Sequence, residues 1–327
     1  MSRGSGVRDS GVRVGGARAS GARGGLRVPA PLMRLGVRQL GRRCLNPALS
    51  WQVQRRRLEL LDRPARLPRG TDVTVQTIGG VRAEVVTAGV RHRAATVIHF
   101  HGGGYCLGSA STVRSWAAHL SAEVGCKVVV PEYRLAPEHR YPAALEDARS
   151  VVAALMGDPD AGSLVLSGDS AGAGLALALA LSLRDDGQQL PAGCILLSPW
   201  LDLGRDRGAD PDLVRRDQML SPAWLDACAR AYADPSCWTD GLVSPLCAPH
   251  AGLMPLLVQA GTDEILAPDA DLLAASAGAA GVDVTYSKWP GMWHDFMLQP
   301  GMVATADSAL AQAAWFVAQV TAISPAA

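Results

Sequence analysis

Short apolar runs alternate with longer amphipathic stretches over most of the chain, and that rhythm predicts its elements. ATVIHF (95–100), KVVV (127–130), SLVLS (163–167), CILLS (194–198), PLLVQA (255–260) and VDVTYS (282–287) have the length and composition of strands. Between them lie stretches of helical composition: TVRSWAAHLSAEVG, PAALEDARSVVAALMG, the Ala/Leu segment after Ser170, ADLLAASAGAAG, and a last one from about Val303 to Val320. This alternation predicts an α/β fold, a mostly parallel, twisted sheet covered by helices on both faces. Two segments break the rhythm. DVTVQTIGGVRAEVVTAG alternates with period two around Gly79-Gly80, the pattern of a β-hairpin. Between Asp202 and Leu246 strand runs are missing, four Asp-Pro or Ser-Pro pairs punctuate the chain, and a helical stretch lies near Pro222 to Ala233. That segment reads as an insertion. With one or two amphipathic helices expected from Pro31 to Leu67, it would form a helical cap over the sheet.

The run 163–167 stops at Gly168-Asp169-Ser170-Ala171-Gly172 and restarts as a helix. In an open α/β sheet ligands bind beyond the carboxyl ends of the strands, which is where this G-x-S-x-G turn falls. Glycines flank the serine because side chains there would strike the adjoining strand or helix, and the tight turn pushes Oγ outward. HFHGGGYCLGS (99–109) follows another strand, leaving the N–H groups of Gly102 and Gly103, with that of Ala171, to face an oxygen anion. A bare glycine run also fits a nucleotide-binding turn, but neither G-x-G-x-x-G nor G-K-[ST] spacing is present. A serine hydroxyl is a weak nucleophile until a histidine held by a carboxylate takes its proton. WPGMWHDF supplies His294, and QAGTDEILAPD supplies Asp263 and Glu264 at the end of a strand. The chain order is serine, acid, histidine.

Composition trims the alternatives. Hydrophobic residues are 48% and charged residues 19%, the balance of a globular protein, and no apolar run is long enough for a transmembrane helix. Seven scattered cysteines without a C-x-x-C pair point to a reducing, cytoplasmic setting and away from zinc, so no metal is expected. The net charge of +1 hides an asymmetry, because residues 1–45 hold ten arginines and a single acid, Asp9. Only Lys127 and Lys288 are lysines against 29 arginines, which fits codon bias, an inert leader and a true start at Met33. The other reading is a targeting or anion-binding arm. The expected organisation is a disordered basic leader (1–32), N-terminal cap helices (33–69), the main domain (70–320) with a cap insertion at about 202–246, and a tail (321–327).

His101-Gly-Gly-Gly, YRLAPEHRYPAALEDA (133–148), GDSAGAG, SPWLDL and GMWHDF, in that order, resemble the hormone-sensitive-lipase-like family of esterases, the α/β-hydrolase fold-3 group. GTDEIL and SPWLDL are nearer to monoterpene lactone hydrolase-like and actinobacterial lipase/esterase members. The resemblance runs from roughly Gly70 to Val320, and Ala173 stands where the family usually has glycine. It implies an α/β-hydrolase fold and a serine carboxylesterase acting through an acyl-enzyme on small-molecule esters of short to medium acyl chain, or on lactones. No cofactor and no nucleic-acid partner are implied, and the chain would be a monomer or homodimer. A non-catalytic ligand-binding homologue and an amidase are the alternatives. Similar members place the acid nine positions after a proline and two before a leucine. Counted from Pro255, that register selects Glu264 ahead of Leu266, with Asp263 as the alternative acid. The resemblance also makes the Tyr133–Pro142 stretch a support for the glycine loop. Tyr105, Trp200 and Trp293 are expected to bind substrate.

Overall fold

The computed structural model describes residues 27–61 and 67–322. Helices α1 (Ala30–Cys44) and α2 (Trp51–Leu61) come first. On α1, Val37, Gly41 and Cys44 recur on one helical face and are buried, while Arg38, Arg42 and Arg43 stay exposed. The helix starts three residues before Met33, and just upstream Val28 N–H donates to Met302 O at 3.0 Å. The chain is therefore tied to the body from residue 27, earlier than a disordered leader reaching 32 would allow. The rest of that expected leader, residues 1–26, and residues 323–327 of the expected tail lie outside the described residues.

The hairpin is β1 (Asp72–Ile78) and β2 (Val81–Thr87), closed by Gly79 and Gly80, both with positive φ. Alternation then runs β3 (Ala95–Phe100), α3 (Ala110–Val124), β4 (Lys127–Pro131), α4 (Ala143–Met156), β5 (Ser163–Asp169), α5 (Ala171–Asp185) and β6 (Gly193–Leu197). After the insertion come β7 (Leu256–Gly261), α8 (Ala267–Ala279), β8 (Val284–Trp289) and a C-terminal helix (Ala304–Ala322). The described strands form one eight-stranded sheet in the order β1-β2-β4-β3-β5-β6-β7-β8. From β4 to β8 neighbours are parallel; β2 is antiparallel to both of its partners.

Burial on both faces explains why the central strands read as continuous apolar runs. Successive side chains point to opposite sides of the sheet. Ile98, Leu166, Leu196 and Val258 therefore pack with α4 and α5, while Val97, Val165, Ile195 and Leu257 pack with α3 and the C-terminal helix. Burial of each such side chain contributes about 1.5–3 kcal/mol before conformational entropy is subtracted.

The insertion between β6 and β7 contains α6 (Pro211–Arg216), α7 (Pro222–Tyr232) and short 3-10 turns at 235–237 and 245–247, and the C-terminal helix is thus α9. Its four X-Pro pairs are helix starts, with proline at the first helical position. Asp210 Oδ1 caps α6 by accepting from Asp212 N–H and Leu213 N–H at 3.0 and 2.9 Å, and Ser221 Oγ caps α7 through Trp224 N–H. Trp224 Nε1–H donates in turn to Gln54 Oε1 at 2.9 Å, joining the insertion to α2. Two stretches far apart in sequence thereby close over the same end of the sheet.

Candidate active site

At the end of β5 a single residue, Ser170, separates strand from helix, with φ 53° and ψ −119°. A non-glycine residue in this region stores strain of about 1–3 kcal/mol unless its surroundings hold it. Here Ser170 N–H donates to Leu197 O at 2.9 Å, and Trp200 N–H donates to Ser170 O at 3.0 Å. A Cβ on Gly172 would run into the carbonyl oxygen of Phe100, and one on Gly168 into the carbonyl group of Gly172. The flanking glycines are thus fixed by backbone packing, and the strained turn between them aims Oγ at a cavity.

His294 follows β8 and Glu264 follows β7. With Nδ1 protonated, His294 donates to Glu264 Oε2 at 2.6 Å, and its Nε2 accepts from Ser170 Oγ–H at 3.0 Å. The other Glu264 oxygen, Oε1, accepts from Gly261 N–H at 2.6 Å and Ser198 Oγ–H at 3.0 Å. Asp263 turns the opposite way, with Oδ2 at 2.7 Å from Arg34 of α1 and Oδ1 at 3.1 Å from Arg216 of α6. Of the two candidate acids, only Glu264 faces the imidazole.

Burial pulls the His294 imidazole toward neutrality, but the carboxylates of Asp295 and Glu264 outweigh it and hold the ring's pKa well above its usual value. Asp295 Oδ2 lies 3.1 Å from Nε2. Burial pushes the Asp295 carboxyl up to about 7, against the pull of His294.

The glycine loop is held from below. Asp169 Oδ2 accepts from Gly102 N–H at 2.9 Å, its Oδ1 accepts from His99 Nε2–H at 2.9 Å, and His99 Nδ1 accepts from Ser167 Oγ–H. Gly102 was expected to offer a free amide, yet that amide is already committed to Asp169. Among the described residues the N–H groups of Gly103, Gly104 and Ala171 meet no protein acceptor. Tyr133 Oη–H donates to His101 O at 2.6 Å. Arg55 of α2 donates to Cys106 O and Ala136 O, both at 2.8 Å, and pairs with Glu138.

Ser170, His294, Asp295 and Gly103 open on a cavity of about 260 Å³. Its remaining wall is largely apolar, with Val37 and Leu58 from the first two helices and Leu220 and Trp224 from the insertion.

A family model described as an alpha/beta hydrolase fold matches residues 97–298. The putative acetyl-hydrolase LipR of Mycobacterium tuberculosis is 36% identical over 255 residues, 78% of this chain and 82% of LipR. An esterase of Acinetobacter venetianus is 36% identical over 264 residues, covering 79% of this chain and 86% of its own. The crystal structure of an esterase from the bacterial hormone-sensitive lipase family has a TM-score of 0.82 at 30% identity, covering 90% of this chain and 99% of that one. The chain belongs to the hormone-sensitive-lipase-like family of α/β-hydrolases. This is a family of esterases.

In this α/β-hydrolase the three aromatic residues expected in the pocket lie elsewhere. Tyr105 is buried and stacks on Tyr232 with ring centroids 3.8 Å apart. Trp200 is buried behind it, and Trp293 packs among α3 and α9 on the other face of the sheet. Trp293 immediately precedes His294, so with the imidazole turned toward the cavity its indole turns into the core. The aromatic residue that does line the cavity is Trp224, within the stretch read from sequence only as a helix of the insertion. Sequence reasoning also passed over Asp169, Ser198 and Asp217. Asp217 accepts from Met219, Leu220 and Ile265 N–H, each at 2.8 Å, which ties the insertion to the strand end that carries Glu264. Asp169 lay inside the quoted motif, and its acidic character beside a serine was the available signal; Ser198 and Asp217 offered none. Among the described residues no helix is long and apolar enough to cross a membrane, and no group of three or more His, Cys, Asp and Glu side chains is placed to hold a metal ion.

Proposed function

We propose that this α/β-hydrolase cleaves carboxylic esters of short to medium acyl chain, lactones included, through a covalent acyl-enzyme. The observation that carries the reading is the continuous hydrogen-bond chain from Ser170 through His294 to Glu264, opening on an apolar cavity. Ser170 Oγ attacks the carbonyl carbon as its proton passes to His294 Nε2. The negative charge that develops on the carbonyl oxygen is met by Gly103, Gly104 and Ala171 N–H, fixed in place before the reaction starts. Collapse expels the alcohol oxygen, which takes the proton from Nε2, and leaves the acyl group on Ser170. Water, activated by the same Nε2, then releases the acid and restores the serine. Glu264 holds Nδ1–H and stabilises the imidazolium formed in each half.

A cavity of about 260 Å³ fits a short acyl chain and its alcohol better than a long fatty chain. Hydrolysis of p-nitrophenyl esters from two to sixteen carbons, together with a terpene lactone series, tests this directly. The expected kcat/KM maximum lies among the shorter chains. A maximum at sixteen carbons overturns the size assignment, and failure to hydrolyse any member overturns the esterase reading.

The same site fixes the sign of the pH dependence. Turnover needs His294 neutral so that Nε2 can accept, and the neighbouring carboxylates hold its pKa above the ordinary 6.5. Activity is therefore lost as pH falls through that raised value, and the acid limb of kcat/KM lies above pH 6.5. Asp295→Asn removes a negative charge beside Nε2 and is expected to move the limb to lower pH. An unmoved limb, or one displaced upward, contradicts this electrostatic account.

A further inference from the structure

Helices α1 and α2 turn one side to the cavity and the other to solvent. On α1, Leu32 and Leu35 lie opposite the buried face of Val37, Gly41 and Cys44 and are 63% and 55% exposed. On α2, Val53 is 40% exposed and shares the outward face with Arg56 and Arg57. The other large apolar side chains exposed to this degree, Val75, Val90, Met156, Leu272 and Trp315, are spread one to an element or loop over the rest of the described residues. Single exposed side chains of that kind are ordinary, whereas three on two adjoining helices form a patch.

The same faces are basic. The two helices carry seven arginines and one acid, Glu59. Arg34 is paired with Asp263 and Arg55 with Glu138. Arg38, Arg42, Arg43, Arg56 and Arg57 are exposed and have no carboxylate partner among the described residues. Arg57 Nη1–H donates to Arg43 O at 2.7 Å, a neutral acceptor that joins the ends of the two helices and leaves the charge in place.

This face gains nothing for the fold, since its apolar groups stay in water and its like charges repel. A partner that satisfies both features must supply anions and hydrocarbon together. Nucleic acid offers phosphates but leaves the leucines wet, and a second copy meeting this face would set arginine against arginine. We propose that the outward face of α1 and α2 docks on an anionic lipid surface, with the arginines against phosphate headgroups and Leu32, Leu35 and Val53 entering the boundary of the acyl chains. The inner sides of these helices line the cavity through Val37, Gly41 and Leu58. Docking therefore brings the cavity within one helix diameter, about 10 Å, of the lipid.

Cosedimentation of the full chain with vesicles tests this, comparing pure phosphatidylcholine with phosphatidylcholine that contains about 30% phosphatidylglycerol. Binding to the anionic vesicles is expected to be at least about tenfold tighter, and the advantage should shrink as salt screens the headgroups. Leu32→Ser combined with Leu35→Ser should weaken that binding by about tenfold, and Arg38→Gln, Arg42→Gln and Arg43→Gln together by about tenfold or more. All five positions are on the solvent side, so circular dichroism and thermal unfolding should match wild type. Absence of binding, or equal binding to neutral and anionic vesicles, overturns the proposal. Wild-type affinity in either variant does so too, because then charge or insertion at this face plays no part. Double-stranded DNA bound as tightly as the anionic vesicles, with the leucine variant unaffected, would make the face a nucleic-acid site. A dimer in sedimentation velocity that the leucine variant dissociates would make it a subunit interface. Either result overturns the lipid assignment.

Discussion

Ser170→Ala is expected to lower kcat by about 10⁵–10⁶-fold while the fold survives. Ser170 Oγ makes its hydrogen bond to His294 Nε2 and the backbone N–H and C=O of residue 170 make the structural ones, so alanine removes the nucleophile and leaves the turn anchored. No second hydroxyl on the cavity wall stands ready to substitute, since Thr112 Oγ1–H is already donated to Ser109 O at 2.7 Å. The activity that remains reflects attack by water aided by the oxyanion donors alone. A fluorophosphonate probe supplies the independent measurement. It should add once to wild type and not to the variant, with the label mapped by mass spectrometry to Ser170. A label on any other residue overturns the assignment of the nucleophile.

Glu264→Gln is expected to cost on the order of 10⁴-fold in kcat, and Asp263→Asn less than about tenfold. The asymmetry comes from what each oxygen already does. Glu264 Oε1 accepts from Gly261 N–H and Ser198 Oγ–H, so a glutamine in its place must put its amide oxygen there to keep both bonds satisfied. Its NH₂ then points at His294 Nδ1 and donates to it, which moves the ring proton to Nε2. An imidazole protonated at Nε2 cannot accept from Ser170. Asp263→Asn weakens ion pairs to Arg34 and Arg216 that lie partly in solvent, where each is worth little. Both variants are measured at saturating substrate after circular dichroism has shown the fold intact. The reverse ranking would move the orienting role to Asp263 and leave the identity of the nucleophile untouched.

Much of the fold was legible because its physics is local. Strands buried on both faces must be apolar along their whole length, so β3, β5, β6 and β7 stand out as runs of the right size. Where one end is less apolar the register blurs: 282–287 was the expected strand, and β8 runs from Val284 to Trp289 because its last residues pair with Ala260 and Gly261. The strand–serine–helix turn was legible for the same reason, being dictated by contacts within a few residues. What could not be read depends on distant atoms. Whether Gly102 or Gly104 offers a free amide is decided by a carboxylate 67 positions away from Gly102. Which tryptophan reaches the cavity is decided by where the insertion folds back, and both Trp200 and Trp224 sit in equally plausible apolar surroundings. The backbone of Asp295 is likewise held by a distant residue, Ser198 on another strand end, whose Oγ accepts from its N–H.

The matched family region spans 97–298 and holds Ser170, Glu264, His294 and the proposed oxyanion amides, whereas Val37, Gly41, Cys44, Leu45 and Leu58 of the cavity wall lie upstream of it. The cavity wall is thus shared between that upstream stretch and the insertion, which contributes Leu220 and Trp224. Replacing the upstream stretch would reshape one side of the cavity while leaving Ser170, His294 and Glu264 in place. Such a replacement would also remove Arg55, whose guanidinium braces Cys106 and Ala136 on the loops beside the proposed oxyanion amides. A graft that discards Arg55 would change the turnover step along with the choice of substrate.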